Sequence, residues 1–123
     1  NATGSNQTPY ASTTNSVYFD PSTGYVYAVA FQATSDETSK TNVATIQNAL
    51  NTICELRGVT FEWKENGKKS SGVIAQEAEK LVPHLVETNP QTGTKSFNYD
   101  AMVGVLIEAI KELKAEIDEL KKK

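Results

Sequence analysis

The first 35 residues of this sequence are almost without charge. The chain holds 12 Lys and Arg and 15 Asp and Glu residues over 123 positions, and of these only Asp20 falls before Asp36. Cysteine is nearly absent too: Cys54 stands alone, which excludes a disulfide within the chain and leaves the redox compartment open. His84 is the only histidine, so a site built from several histidines is excluded within one chain, and no metal is expected. No apolar run reaches the roughly 18 residues of a membrane span, and no membrane partner is expected. Neither common glycine-rich phosphate loop occurs, so no cofactor is expected. A net charge of −3 with an isoelectric point near 5.2 argues against a general nucleic-acid binder, which needs a basic surface. There is no signal-peptide pattern, and the opening at Asn1 is that expected of a processed or cloned fragment. The length suits about one domain.

What is present begins with a polar segment, residues 1 to 16, that offers little to a core and is expected to be flexible or externally supported. Val17-Tyr18-Phe19, the turn Asp20 to Gly24, and Tyr25 to Phe31 then predict a β-hairpin, since aromatic and β-branched residues favour strands while Pro and Gly suit turns. The second strand is apolar on both faces, and a lone hairpin is marginal in water, so symmetry partners are its economical cover. Beyond the polar Ala33 to Glu37, Val43, Ile46, Ala49, Leu50, Ile53 and Leu56 recur at helical steps and predict an amphipathic helix ending near Arg57-Gly58. Cys54 falls on its apolar side and is expected in the core. Val59, Phe61 and Trp63 alternate with polar residues as a half-buried strand with Trp63 in the core, Asn66-Gly67 turns the chain, and Gly72 to Ile74 returns. A short helix from Gln76 to Leu81 stops before Pro83; a polar loop around Asn89 to Gly93 leads to a strand from Ser96 to Tyr99.

The last element has the most regular pattern. Val103, Leu106, Ile110, Leu113, Ile117 and Leu120 are spaced 3, 4, 3, 4, 3, a heptad seam with β-branched residues at a and Leu at d. Glu116 at g and Lys121 at the next e suit pairing between parallel helices, and Lys121 to Lys123 complement the helix C-terminus. The same pattern also fits an amphipathic helix docked on its own domain. In a free-standing coiled coil this choice of a and d residues favours a dimer, so the seam alone does not specify a trimer.

One pair of residues has chemical potential. Ser35 and Lys40 lie five positions apart where the charge begins. A serine hydroxyl becomes a useful nucleophile when a base takes its proton, and a lysine is that base only when neutral, a state favoured by desolvation or neighbouring positive charge. The spacing permits contact across one helical turn or a bend. A structural alternative uses the same residues: Thr34-Ser35-Asp36-Glu37 fits a capping box with Thr34 as N-cap and Glu37 three residues on.

Three motifs resemble one family. Ser35-Asp36 with Lys40 and then Asn42-Val43 is similar to the SDxRLKxNI opening of the phage intramolecular chaperone domain, the peptidase S74 family. Gly72-Val73-Ile74-Ala75-Gln76-Glu77, followed by Pro83 and Leu85-Val86, resembles its GVIAQE segment, and Tyr99 with Leu106 to Leu113 resembles its closing helix. Together they cover essentially all of residues 35 to 123. The chain departs from the family at Thr38 and Ser39, where Arg and an apolar residue are usual, and at His84, where an acid is common.

The resemblance implies an α+β fold in two parts. Residues 1 to 34 would be the end of a β-rich stalk, and 35 to 123 a small helical domain with a β-hairpin and a long C-terminal helix. The resemblance implies that the parts would assemble as a homotrimer, with the seam as the contact. It implies an intramolecular chaperone that folds the preceding stalk of a tail spike, tail fibre or neck appendage and then cuts itself off. Ser35 is implied as nucleophile, Lys40 as general base and Thr34–Ser35 as the scissile bond, with Asp36 helping to position the segment. This would be a single-turnover serine peptidase with a Ser-Lys dyad, whose partners are its own copies and stalk, without nucleic acid. It would be made in the bacterial host cytoplasm, the chaperone being released and the stalk retained on the virion. A non-catalytic trimerisation or attachment module, with Ser35 in a cap and the helix as a clamp, is the alternative.

Overall fold

Two aromatic-rich segments flank a turn that needs a residue at positive φ, and Gly24 supplies it at φ 79°. In the computed structural model, which describes residues 17–123, this turn joins β1 (Val17–Asp20) to β2 (Tyr25–Ala28) in antiparallel register from Val17↔Ala28 to Asp20↔Tyr25. The expectation for residues 1 to 16 lies outside the described residues. Gly24 N–H donates to the Asp20 carbonyl at 2.8 Å, and the Asp20 carboxylate accepts from Ser22 amide and hydroxyl. The second strand ends at Ala28 rather than Phe31. Tyr18 and Tyr27 stack across the strands, yet they and Phe19, Tyr25 and Val26 are all exposed. The chain divides into two compact units, one ending at Val43 and the other Ala44–Lys123.

In the second unit, α1 is Ala49–Glu55, shorter than the Val43-to-Leu56 helix the periodicity predicts. Asn48 adopts left-handed φ 59°, which halts the helix on its N-terminal side. Val43 and Ile46 therefore lie in irregular chain, with Val43 exposed; Ile46 seats its Cδ1 against Gly104, where an added Cβ would stand 3.3 Å away. The short helix turns Ala49, Leu50 and Ile53 towards the C-terminal helix and leaves Cys54 exposed, not in the core as its spacing suggested.

β3 (Val59–Glu62) and β4 (Lys69–Gly72) pair antiparallel around a turn with Gly67 at φ 72°. Gly67 N–H donates to the Trp63 carbonyl at 2.7 Å, so the return strand starts at Lys69, ahead of the expected Gly72. Trp63 lies just beyond β3, edge-on to the half-buried Phe61 and 52% exposed; the core position expected for it is not realised. α2 (Ala75–Glu79) follows, then a 3-10 turn Pro83–Leu85 that leads directly into β5 (Val86–Thr88). β5 pairs with β6 (Lys95–Phe97), from Val86↔Phe97 to Thr88↔Lys95. The chain closes with α3 (Met102–Lys121).

The core is thin. Ala78, Val82, Leu85 and Val86 form one cluster with Leu56, Val73 and Phe97 packed against it, and Ala49, Val105 and Ala109 form another where α1 meets α3; Met102 touches both. Among the described residues no large side chain is fully buried. Burial at about 25 cal/mol per Å² therefore has little area to act on. Polar contacts supplement it. The Tyr99 hydroxyl accepts from Val73 N–H at 3.0 Å, and a Cβ at Gly72 would overlap that hydroxyl, which is why glycine stands there. Arg57 donates to Glu77 from Nε at 3.2 Å and Nη2 at 2.7 Å, tying the chain after α1 to α2. The fold is α+β, with three two-stranded hairpins and a long last helix among the described residues.

Candidate functional site

Asp followed two residues later by Thr invites a local turn, because the carboxylate can accept from the backbone ahead of it. Here Asp36 is the N-cap of a single 3-10 turn, Glu37–Ser39, and Thr38 N–H donates to Asp36 Oδ1 at 2.8 Å. The Thr38 hydroxyl donates to the same oxygen. These bonds, the hydroxyl's first, hold the Asp36 carboxyl below the usual carboxylate range. The turn is completed by Ser39 N–H to the Asp36 carbonyl and Lys40 N–H to the Glu37 carbonyl, both at 3.1 Å. The capping box is thus corrected: Asp36, not Thr34, is the cap, because the turn is 3-10 and starts two residues later than a Thr34 cap requires.

The turn brings its two ends together. Lys40 leaves it in extended conformation, φ −121° and ψ 152°, and its Nζ donates to Ser35 Oγ at 2.6 Å. A neutral amine would accept the serine proton over that same distance, which is within the reach a general base needs. Thr34, Ser35, Asp36 and Lys40 are all exposed, as is every residue from Val29 to Asn48. A single chain therefore surrounds the pair with water, whereas a lysine base needs water excluded or positive charge nearby.

The heptad residues form a separate surface. Val103, Leu106, Ile110, Leu113, Ile117 and Leu120 are between 43 and 67% exposed along α3, and Ile107 beside them is also exposed. α1 packs instead on Met102, Val105 and Ala109, which lie around the helix from the seam. The domain's own helix thus occupies a different face, and the seam is not the docking stripe for α1. Glu116 and Lys121 make no ion pair within the chain among the described residues. No helix there is long and apolar enough to cross a membrane, and no three His, Cys, Asp or Glu side chains cluster as metal ligands.

Two residues of the arrangement escape sequence reasoning in different ways. Thr38 was readable, since Asp-x-Thr is a turn signature. Glu112 was not: its carboxylate accepts from Ala49 N–H at 2.9 Å and Leu50 N–H at 3.0 Å, more than 60 positions away.

The three motifs, the paired serine and lysine, and the free helix seam set the context for comparison with known proteins. Residues 35–87 match the model of the Peptidase_S74 family, described as chaperone of endosialidase. Residues 35–87 are thus similar to a peptidase S74 domain. The S74 match begins at Ser35, one residue before the charge starts. The chain is also similar to long tail fiber protein Gp37 of three phages. It is 33% identical to that of Enterobacteria phage K3 over 97 residues, 72% of this chain and 8% of the relative. The values are 30% over 110 residues for Salmonella phage S16, 80% of this chain and 15% of the relative. For Enterobacteria phage M1 they are 31% over 113 residues, 85% of this chain and 44% of the relative. The chain thus spans less than half the length of each of these fibre proteins.

Proposed function

We propose that this chain is the C-terminal intramolecular chaperone of a phage fibre, spike or appendage, joined to the last turns of its client stalk and released by cutting itself at Thr34–Ser35. The observation that carries the reading is the 2.6 Å contact between Ser35 Oγ and Lys40 Nζ at the first residues of the S74 match. In the reaction, neutral Lys40 takes the Ser35 hydroxyl proton as Oγ attacks the Thr34 carbonyl carbon. The Thr34–Ser35 C–N bond breaks, the departing nitrogen receives the proton and becomes the α-amine of Ser35, and Thr34 is left as an ester on Oγ. Water hydrolyses that ester, giving the Thr34 carboxylate and restoring the serine. Each chain turns over once.

The seam and the hairpin give this chemistry its setting. Three copies of α3 joined along the seam would cover the exposed a and d residues, pair Glu116 with Lys121 between chains, and bring three stalk ends together. A stalk of strands from several chains loses much entropy before its non-local contacts form, and tethering at the C-terminus raises the effective concentration of those strands. The exposed aromatic faces of β1 and β2 are what such a stalk end would bury. Neighbouring chains folded over Ser35 and Lys40 would exclude water from the pair and switch on the lysine, so that cutting waits for assembly. Cutting then uncouples the stalk from its assembler and leaves it kinetically stable. Its similarity to phage tail fibre proteins supports assembly in the bacterial host, where cutting would leave the stalk on the virion.

Mass spectrometry of the purified protein tests this directly. The expected result is a fragment that begins at Ser35, and Ser35→Ala leaves only the intact chain. A cut of unchanged efficiency in Ser35→Ala overturns the nucleophile. An uncut parent chain that still assembles would instead establish the alternative, a non-catalytic trimerisation module.

A further inference from the structure

We propose that Thr38 is a positioning residue for self-cleavage, its amide and hydroxyl clasping Asp36 so that the turn holds Lys40 against Ser35. The inference rests on the Ser35–Lys40 reading above and adds a residue to it.

The argument starts from what the turn lacks. Every side chain from Val29 to Asn48 is exposed, so no packing fixes the distance between Ser35 and Lys40 in the chain. A lysine side chain brought to one atom gives up considerable rotamer freedom, and a single 3-10 turn is too short to be stable on its own backbone bonds. Two such bonds are present, from Ser39 to Asp36 and from Lys40 to Glu37. The Asp36 side chain adds two more, both from Thr38 and both to Oδ1. Threonine suits this double role because its branched β-carbon restricts χ1 and holds the hydroxyl in place.

The clasp has a second effect. Asp36 is the acid nearest to Lys40 in sequence apart from Glu37, and a free carboxylate there would compete with Ser35 for the lysine amine. Engaged by Thr38, Asp36 makes no ion pair with Lys40 among the described residues, and Lys40 bonds Ser35. Its carboxyl is held ionised to lower pH than usual by the same two bonds, hydroxyl first, which makes them charge-assisted at neutral pH.

The test follows the first-order rate of cleavage at Thr34–Ser35 in the uncleaved protein across a range of pH. Parent, Thr38→Val and Thr38→Ser are compared at one protein concentration. Valine keeps the shape and loses the hydroxyl; serine keeps the hydroxyl. Thr38 is exposed, so neither variant removes buried contacts, and the urea midpoint of each is expected to match the parent. Thr38→Val is expected to lower the plateau rate about tenfold, as a small misplacement of reacting groups does, and Thr38→Ser to recover most of it. An equal plateau in parent and Thr38→Val overturns the proposal, and so does a serine variant as slow as valine. A parent chain that is never cut overturns the Ser35–Lys40 reading itself, an outcome distinct from a parent that cuts and a valine variant that cuts equally well.

Discussion

Asp20 and Asp36 do the same work in two turns of the N-terminal unit: each accepts from the amide and hydroxyl of the residue two positions on, Ser22 and Thr38 respectively. Both carboxyls are held below their ordinary range, chiefly by those hydroxyl and amide donors. Such pairs were legible in the sequence, because acceptor and donor are two residues apart. The pair Arg57 and Glu77 was not, with 20 positions between them. Glu77 is lowered from its ordinary 4.5, first by the hydrogen bonds from Arg57 and also by its charge and that of Lys80; the Arg57 guanidinium is raised in return. A lowered folded-state value stabilises the fold above the unfolded value, and that contribution is lost as pH falls through the folded value. Between about pH 5 and about pH 3 the urea midpoint should therefore fall further in the parent than in Arg57→Gln, the two curves converging in acid. Parallel loss in both proteins would show that the pair contributes nothing measurable.

At the scale of elements, α1 shows how a short helix is completed from outside itself. Asn48 at its start has no side-chain hydrogen bond to the helix, and the first amides are taken by Glu112 from α3. Ala49, the residue so held, is completely buried. Glu112→Ala strands two N–H groups beside that core and is expected to cost about 1–3 kcal/mol, measured by urea unfolding, with Glu112→Gln in between. A loss within a few tenths of a kcal/mol would mean that water replaces the carboxylate. The exposed pairs Lys114–Asp118 and Glu108–Lys111 on the same helix are of the kind worth only a few tenths each. The periodicity from Val43 correctly marked a helix in this region and mistook its start. Apolar spacing continues through Ile46, which packs on α3 without being helical.

For the whole molecule, the decisive feature is that α3 has two apolar faces and, among the described residues, α1 covers one. Val105 and Ala109 are buried under α1, while the residues from Val103 to Leu120 at a and d positions face outward. Together with the thin core, this predicts that stability and self-cleavage depend on protein concentration. Sedimentation equilibrium should give three times the 13.4 kDa of the chain for Ser35→Ala, and the single-chain mass for Ser35→Ala carrying Ile110→Lys. In the parent, dilution through the dissociation range should slow cutting. A single-chain mass at all concentrations, or a cleavage rate indifferent to dilution, would remove assembly from the mechanism.

Several properties were determined by the sequence alone: the near-absence of charge before Asp36, where Asp20 stands alone, the heptad spacing of α3, the two hairpin turns marked by Gly24 and Gly67, and the five-residue interval between Ser35 and Lys40. Each is written within a few neighbouring residues, where spacing and backbone preference act directly. Only the tertiary structure decided which face of α3 meets α1, that Cys54 and Trp63 lie outside the core, that Glu112 caps a helix more than 60 positions away, and that the Ser35–Lys40 interval closes to 2.6 Å. The reason is that periodicity defines a face but not its partner. Burial belongs to a pair of surfaces, and a contact distance to the dihedral angles of the whole turn between its ends.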